Sequence, residues 1–368
     1  MKVIGIIAEY NPFHNGHLYM INEIKKRYPE SIIICCLNGY FTERGNISIL
    51  SKEDKTKIAL DNNIDIVLEL PFVYGTQSAD IFGYNSIKIL NNYKIDTLIF
   101  GSESNDINIL NKIVDKQNDP EYDEKVLSYL DEGCNYPTAL AKALEMDFDF
   151  KPNDLLGISY IKAIRIINPE IKIETIKRTN DYHDLELNDN IVSASNIREK
   201  LRNKEDINRY LPVGVLNKIN NISNDNLFNL LKFKILTDND LASYVDVDEG
   251  IEYRLLKYIN ESNNMDELIS NVKTKRYTYN KINRMLIHIL VGFTKKDNNK
   301  LELDYTKILG FNSIGQEYLK TIRKELEIPS IVDKESTIYK YELKVAYIYE
   351  QAIKKSLNNF DGKNIPVK

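Results

Sequence analysis

The first hundred residues alternate between strand-length apolar runs and segments of helical spacing, and this alternation constrains the fold more than any other feature. The run "KVIGIIAEY" from Lys2 is followed by "HLYMINEIKKRY", where His17, Met20, Ile21 and Ile24 recur at helical intervals. "SIIICCLN" from Ser31 reads as a second strand. "SKEDKTKIALDNN" reads as a second helix, with Ser51 placed to cap it and Asp54 three residues on. "IDIVLELP" is a strand stopped by Pro71, "SADIFGYNSIKILNNY" a helix, and "IDTLIFGSE" a further strand. Near-continuous apolar strands separated by helices are buried on both faces, which requires a parallel sheet with helices on each side. The expected fold class is α/β: a doubly wound parallel sheet of Rossmann-like form, followed by an all-helical domain.

Around residues 105–168 the pattern turns helical, as an insertion. The sheet resumes at "IKIETIKR", and "SASNIREKLRN" is a helix capped by Ser193 or Ser195. Proline and glycine in "YLPVG" at Tyr210 interrupt that helix ahead of a shift in composition. Beyond it "DNLFNLLKFKIL", "GIEYRLLKYINES", "YNKINRMLIHILVGF" and "YELKVAYIYEQAIKKSL" are helical, with no fixed-period repeat or sustained heptad. Two units are expected, residues 1–211 and residues 212–368.

An apolar fraction of 43% in 368 residues supports a sizeable core. The longest apolar runs have strand length and fall far short of a membrane span. "MKVIGIIAEY" lacks the apolar core and cleavage site of a signal peptide and reads as a strand. Three cysteines make no disulfide framework, so a reducing cytoplasm is expected. Cys35 and Cys36, adjacent on a strand, point to opposite faces and read as core thiols. A net charge of −5 argues against a protein coated in basic charge but permits local basic patches.

In an open parallel sheet, ligands bind beyond the carboxyl ends of the strands. "HNGH", beginning at His14, lies where the first strand ends and its helix begins, and it holds two of the chain's 4 histidines. Gly16 admits close approach of a ligand to the backbone, and the helix start offers unpaired N–H groups to an anion such as phosphate. Two histidines at i and i+3 can face one ligand and donate to oxygens whose charge grows in a phosphoryl transition state. Zinc needs about four ligands; no Cys/His set with metal spacing stands nearby, and no metal ligand is assigned. "KTKRYTYNKINR" interleaves Lys273, Lys275, Arg276, Lys281 and Arg284 with Tyr277 and Tyr279 and holds no acidic residue. Basic groups suit an RNA backbone and aromatic rings stack on bases, although a solvated charged face would read the same way. His288, within "RMLIHILVGF", reads as a packed helix residue.

H-x-G-H after the first strand of such a sheet resembles the signature of the nucleotidyltransferase superfamily that includes class I aminoacyl-tRNA synthetases. The longer "AEYNPFHNGHLY" is similar to the opening of the tRNA(Met) cytidine acetate ligase family. "LELPFVYGTQSAD", "FGSE", "KPNDLLGISYIKA", "KRTNDYHD" and "VSASNIR" resemble that family in order. So do "EGIEYRLL", "KTKRYTYNKINRML" and "KILGFNSIGQEYL", so the resemblance spans nearly the whole chain. Two departures stand out. "LNGYFTERGNISIL" lacks the family's small residue before the glycine, its glutamine before "RG" and its proline soon after, and Asp154 stands where asparagine is commoner.

The resemblance implies that acetate attacks the α-phosphate of ATP, releasing pyrophosphate and forming acetyl-adenylate. The N4 amine of the wobble cytidine of elongator tRNA(Met) then attacks the acyl carbon and releases AMP. It further implies an ATP site built from Ile7, Ala8, Glu9, Tyr10, Asn11, Pro12, Phe13, His14, Asn15, Gly16, His17, Leu18, Tyr19 and Met20. Gly101, Asn153 and Arg178 match further ATP-binding positions, and Ser193 and Ser195 match the superfamily's second phosphate-binding motif. His14 and His17 are the expected catalytic groups, Mg²⁺ is expected with the nucleotide, and acetate is the co-substrate. Lys273, Lys275, Arg276, Tyr277, Lys281 and Arg284 are the expected tRNA contacts, with no membrane and no protein partner implied. His183 would serve the acyl or cytidine step, or order its loop. On the residues alone, a nucleotidyltransferase acting on a small metabolite and a non-catalytic RNA-binding protein remain alternatives.

Overall fold

The computed structural model describes residues 1–134, 136–146, 148, 150–178, 190–357, 360–363 and 366–367. In chain order, β1 (Val3–Ala8), α1 (Asn15–Arg27), β2 (Ile32–Asn38), α2 (Lys52–Asp61) and β3 (Ile66–Leu70) follow the alternation read from the sequence. A short α3 (Phe72–Gly75) precedes α4 (Ala79–Asn92) and β4 (Thr97–Ser102). The inserted helices are α5 (Ile107–Gln117), α6 (Pro120–Asp131), α7 (Tyr136–Ala143) and α8 (Pro152–Ile167), after which β5 (Lys172–Lys177) and α9 (Ala194–Arg202) return to the sheet. The second half carries α10 (Asn224–Thr237), α11 (Ile251–Tyr258), α12 (Met265–Val272), α13 (Tyr279–Val291) and α14 (Lys295–Asn298). It ends with β6 (Ile308–Phe311), α15 (Ser313–Ile322), α16 (Thr337–Ile353) and α17 (Phe360–Lys363).

The strand order is β5-β4-β1-β2-β3-β6, with the first five strands parallel and β6 antiparallel on β3. The chain winds outward from β1 in both directions, so a crevice opens beyond the carboxyl ends of β1 and β4, where the winding reverses. Alternation along β2 builds one core on each face of the sheet. Ile32, Ile34 and Cys36 pack on the side of α4 and α8, and Ile33, Cys35 and Leu37 on the side of α1 and α9. Both thiols are free and buried, as the strand reading requires. A third core, including Leu231, Leu255, Leu268 and Leu286, belongs to the helical half. Among the described residues no helix is long and apolar enough to cross a membrane.

The second half is not helical throughout. Its strand β6 pairs with the outer edge of β3, whose unpaired backbone groups need a partner. A strand of 4 residues is too short to show a period in the sequence. The last helices also return to the sheet. Lys52, at the start of α2, is fully buried, and its ammonium donates to Glu69 Oε1 at 2.5 Å, Glu342 Oε2 at 2.7 Å and Asp361 Oδ1 at 2.6 Å. Tyr40 donates to the other Asp361 oxygen at 2.6 Å, and Lys307 lies 3.4 Å from Oδ1. Burial pulls the Lys52 pKa down, but the three carboxylates outweigh it and hold the ammonium well above its usual value.

Substituting Lys52→Ala would remove the cation shared by three buried carboxylates, leaving only Lys307 beside Asp361. Unfolding free energy should fall by about 3–5 kcal/mol, read as a lower urea midpoint. An unchanged midpoint would show that this cluster contributes nothing to the fold.

Candidate active site

Beyond β1 the chain turns sharply: Tyr10 has φ 47° and the Asn11–Pro12 bond is cis. His14 then caps α1 in extended conformation. Its Nδ1 accepts the Gly16 backbone N–H at 3.0 Å, while the backbone N–H of His14 donates to Nδ1 of His17 at 3.2 Å. Both imidazoles thus spend Nδ1 as an acceptor from the backbone, which leaves the proton of each neutral ring on Nε2. The rings stack, with centroids 3.8 Å apart. A Cβ on residue 16 would sit 2.9 Å from His14 Cε1, so glycine is what lets the ring fold over the helix start. Tyr10 meets His17 edge-on at 4.9 Å.

Burial, with Arg178 and Arg198 nearby, lowers His14 to about 3. Burial, His14 and Arg178 hold His17 well below its usual value. Both rings are neutral at physiological pH and present Nε2–H as an uncharged donor.

The pair opens onto a cavity of about 640 Å³ at the point where the winding reverses, a size that accommodates a nucleotide. Its wall includes Ile7, Ala8, Glu9, Tyr10, Asn11, His14, Gly16, His17, Tyr19 and Met20. Gly101 from β4, Asn153 from α8, Arg178 after β5, and Ser193 and Ser195 at the start of α9 join them. Four residues of the expected segment are supports instead of wall. Pro12 and Phe13 are buried in the turn, and Leu18 packs against the core below. The Asn15 amide donates to the carbonyls of Asn190 at 3.0 Å and Arg209 at 2.9 Å, tying α1 to the chain around α9.

The polar wall is held from behind. Glu103 accepts the backbone N–H groups of Asn153 at 3.2 Å and Asp154 at 3.1 Å, capping α8 from outside the helix. Arg178 donates to Asn153 Oδ1 at 3.3 Å and lies 3.8 Å from Glu103. Asp154 is fully buried and accepts from Ser102 Oγ at 2.5 Å and the Ser104 N–H at 3.0 Å, so it shapes the turn after β4 and faces no ligand. Ser193 Oγ accepts the Asn196 N–H at 3.2 Å as a helix cap, and Ser195 Oγ accepts from Arg198 at 3.3 Å. Arg198 also donates to the Asn11 carbonyl at 2.6 Å, locking α9 onto the turn after β1. His183 lies outside the described residues.

Sequence reasoning missed other parts of the wall, among them Phe82, Phe100, Glu103, Tyr160 and Arg198, together with a stretch after β2 and an isolated residue from the second half. Thr42, Glu43, Arg44 and Asn46 line the cavity, as does Asn280 from α13. The Glu43 N–H donates to Glu9 Oε1 at 2.6 Å. Burial and the neighbouring Glu9 push the Glu43 carboxyl up to about 7, against Arg284 and Arg44. The available signal was Gly45 in "ERG". It has φ +79°, and a Cβ there would sit 2.9 Å from Arg284 Cα, so α13 meets this turn backbone to backbone.

Two expected RNA contacts are corrected. Arg284 lies 3.6 Å from Glu43 and 3.4 Å from Asp246, an internal bridge. The Tyr277 ring is 3% exposed because it fills the helical core, and its hydroxyl donates to the Asp248 carbonyl at 2.7 Å. Lys273, Lys275 and Arg276 are exposed, and Lys281 is half-buried with its ammonium 4.2 Å above the Tyr277 ring. His288 is packed, with Nε2 2.8 Å from the Thr76 carbonyl.

A capped pair of histidines beside a nucleotide-sized cavity at the switch point of a parallel sheet fits the nucleotidyltransferase class. The chain matches the HIGH Nucleotidyl Transferase family over residues 1–364. A tRNA(Met) cytidine acetate ligase of Caldicellulosiruptor saccharolyticus is 37% identical over 353 residues, spanning 90% of this chain and 88% of that one. One from Clostridium novyi is 34% identical across 100% of this chain and 99% of its own length. The crystal structure of Thermotoga maritima TmcAL bound with alpha-thio ATP matches with a TM-score of 0.87 at 26% identity, covering 100% of this chain and 99% of that one. The chain belongs to the tRNA(Met) cytidine acetate ligase family.

Ring nitrogen NMR on a histidine-labelled sample should find His14 and His17 as neutral Nε2–H tautomers from pH 8 to pH 5. A ring titrating at its ordinary pKa would contradict the capped arrangement. Because unfolded histidine binds its proton near the ordinary value and folded His14 only near pH 3, the contribution of His14 to stability is complete above the ordinary value. It is lost as pH falls through that window.

Proposed function

We propose that this chain is an ATP-dependent ligase that activates acetate as acetyl-adenylate and acetylates N4 of the wobble cytidine of elongator tRNA(Met). The observation that carries this reading is the capped, neutral histidine pair facing the cavity, in a chain of this family. In the first step an acetate oxygen attacks the α-phosphorus and the bond to pyrophosphate breaks. The Nε2–H groups of His14 and His17 donate to phosphoryl oxygens as their charge grows, and being neutral they need no proton change to do so. Arg178 and Arg198 supply positive charge beside them, and the start of α9 with Ser193 and Ser195 receives the outer phosphates. Gly101 and Asn153 lie on the wall assigned to the nucleoside.

In the second step the N4–acyl bond forms, the acyl–oxygen bond to AMP breaks, and one amine proton leaves. An enzyme with this substrate works in the cytoplasm.

Among the described residues, no trio of metal-ligating side chains close enough to share the expected Mg²⁺ lies on the cavity wall. Among the described residues the one trio with suitable spacing is Glu69, Glu342 and Asp361. Its centre is filled by the Lys52 ammonium, and none of the three lines the cavity.

Residues 212–368 are the proposed RNA-bearing part, with Lys273, Lys275, Arg276 and Lys281 meeting the tRNA backbone. Their exposure, or in Lys281 partial exposure, supports this assignment.

Acetate-dependent exchange of labelled pyrophosphate into ATP tests the first step, and its absence from folded protein would overturn the reading. His17→Ala should lower that exchange by roughly 10²–10³-fold while tRNA binding survives; equal loss of both would instead mark a folding defect. Replacing Lys275 and Arg276 together by alanine should weaken tRNA binding and make its logarithmic salt slope shallower by roughly 1.4–1.8. An unchanged slope would remove both residues from the interface.

A further inference from the structure

Of the described residues on the cavity wall, a single one comes from the second half of the chain: Asn280, in the first turn of α13. Its side-chain amide has no hydrogen-bond partner among the described residues. Its place is nonetheless fixed, because α13 is clamped to the wall. Gly45 allows backbone contact with Arg284, and the Asn283 amide donates to the Arg44 carbonyl at 2.8 Å. Arg284 bridges Glu43 and Asp246, and His288 reaches the Thr76 carbonyl.

Tyr279, the residue before Asn280, is 39% exposed, and its hydroxyl donates to Asp266 on α12, which holds the ring in place. Arg202, on the last turn of α9, is close enough for its charge to act on Tyr279. Arg44, with its side chain 45% exposed, stands on the cavity wall beside Glu43. The start of α13 therefore brings together an amide on the cavity wall, an exposed aromatic ring beside it and cations from two other segments.

We propose that the acceptor cytosine enters the cavity past the first turn of α13, where Asn280 pairs with its base edge and Tyr279 stacks on the adjacent base. Arg44 and Arg202 take the flanking phosphates. This rests on the reading above that the acceptor is a cytidine amine in RNA. An asparagine amide carries a donor and an acceptor side by side, and cytosine offers the complementary pair, N3 as acceptor and N4–H as donor. Holding one N4 hydrogen leaves the nitrogen free to meet the acyl carbon. A base whose edge is read in this way is presented by a single-stranded loop, unstacked from its neighbours, and an exposed ring beside the site replaces the stacking it gives up. Tyr279 thus takes the role that the buried Tyr277 cannot.

The test compares acetate-dependent pyrophosphate exchange with steady-state acetylation of an elongator tRNA(Met) transcript, in wild type and in Asn280→Ala, Asn280→Asp, Tyr279→Ala and Tyr279→Phe. Both Asn280 variants should lower kcat/KM for the transcript roughly tenfold more than they lower exchange, because each loses the donor toward N3. Tyr279→Ala should raise KM for the transcript about tenfold, and Tyr279→Phe, which keeps the ring, should restore it. Asn280→Ala and Tyr279→Ala acetylating the transcript as well as wild type would overturn the entry route. A wild-type protein that exchanges pyrophosphate but leaves the transcript unmodified would overturn the underlying reading instead.

Discussion

The ammonium of Lys52 sits among carboxylates from β3, α16 and α17, and the relation between the two halves of the molecule depends on it. Buried ion clusters add less to stability than their attraction suggests, since each ion loses its hydration. Their effect is to make any arrangement that separates them very unfavourable. With α16 and α17 fixed on the sheet, the helices before them are anchored at both ends. The first turn of α13 is held on the cavity wall by its own contacts with Arg44 and Gly45, so the site is made by both halves of the chain.

At the wall itself, one set of hydrogen bonds does two things. The His14 and His17 side chains serve the helix start as caps, a task usually left to serine, threonine, aspartate or asparagine. In doing so each ring accepts on Nδ1, and its tautomer is set before any substrate arrives. Arg178 and Arg198 then discourage a second proton on His14, while Arg178 and the His14 ring do so for His17. The result is a pair of donors on the cavity wall whose tautomers are set in advance.

Much of this was legible in the sequence where the cause is local. The apolar runs of β1 to β4 and the Ser51 cap are set by neighbouring residues. The placement of "HNGH" follows from strand and helix order alone. Contacts between distant segments left no such trace. Nothing near Asn280 announces that it lines the same cavity as His17, because that placement is made by Gly45, Asn283 and Arg284 meeting across more than two hundred residues of chain. Tyr277 and Tyr279 look alike in a basic run, yet one ring falls on the core side of the helical half and the other is exposed. Strand β6 has too few residues to show alternation, and only the open edge of β3 explains it.

The antiparallel pairing of β3 with β6 also sets an order of events during synthesis. β3 ends at Leu70, and its partner begins at Ile308. On the ribosome, a chain that has reached the end of α9 has all five parallel strands but an unprotected sheet edge and a Lys52 missing two of its three carboxylates. Such an edge is a template for pairing with another chain. The sheet is therefore complete only when the carboxy-terminal segments join it, and until then its open edge favours aggregation.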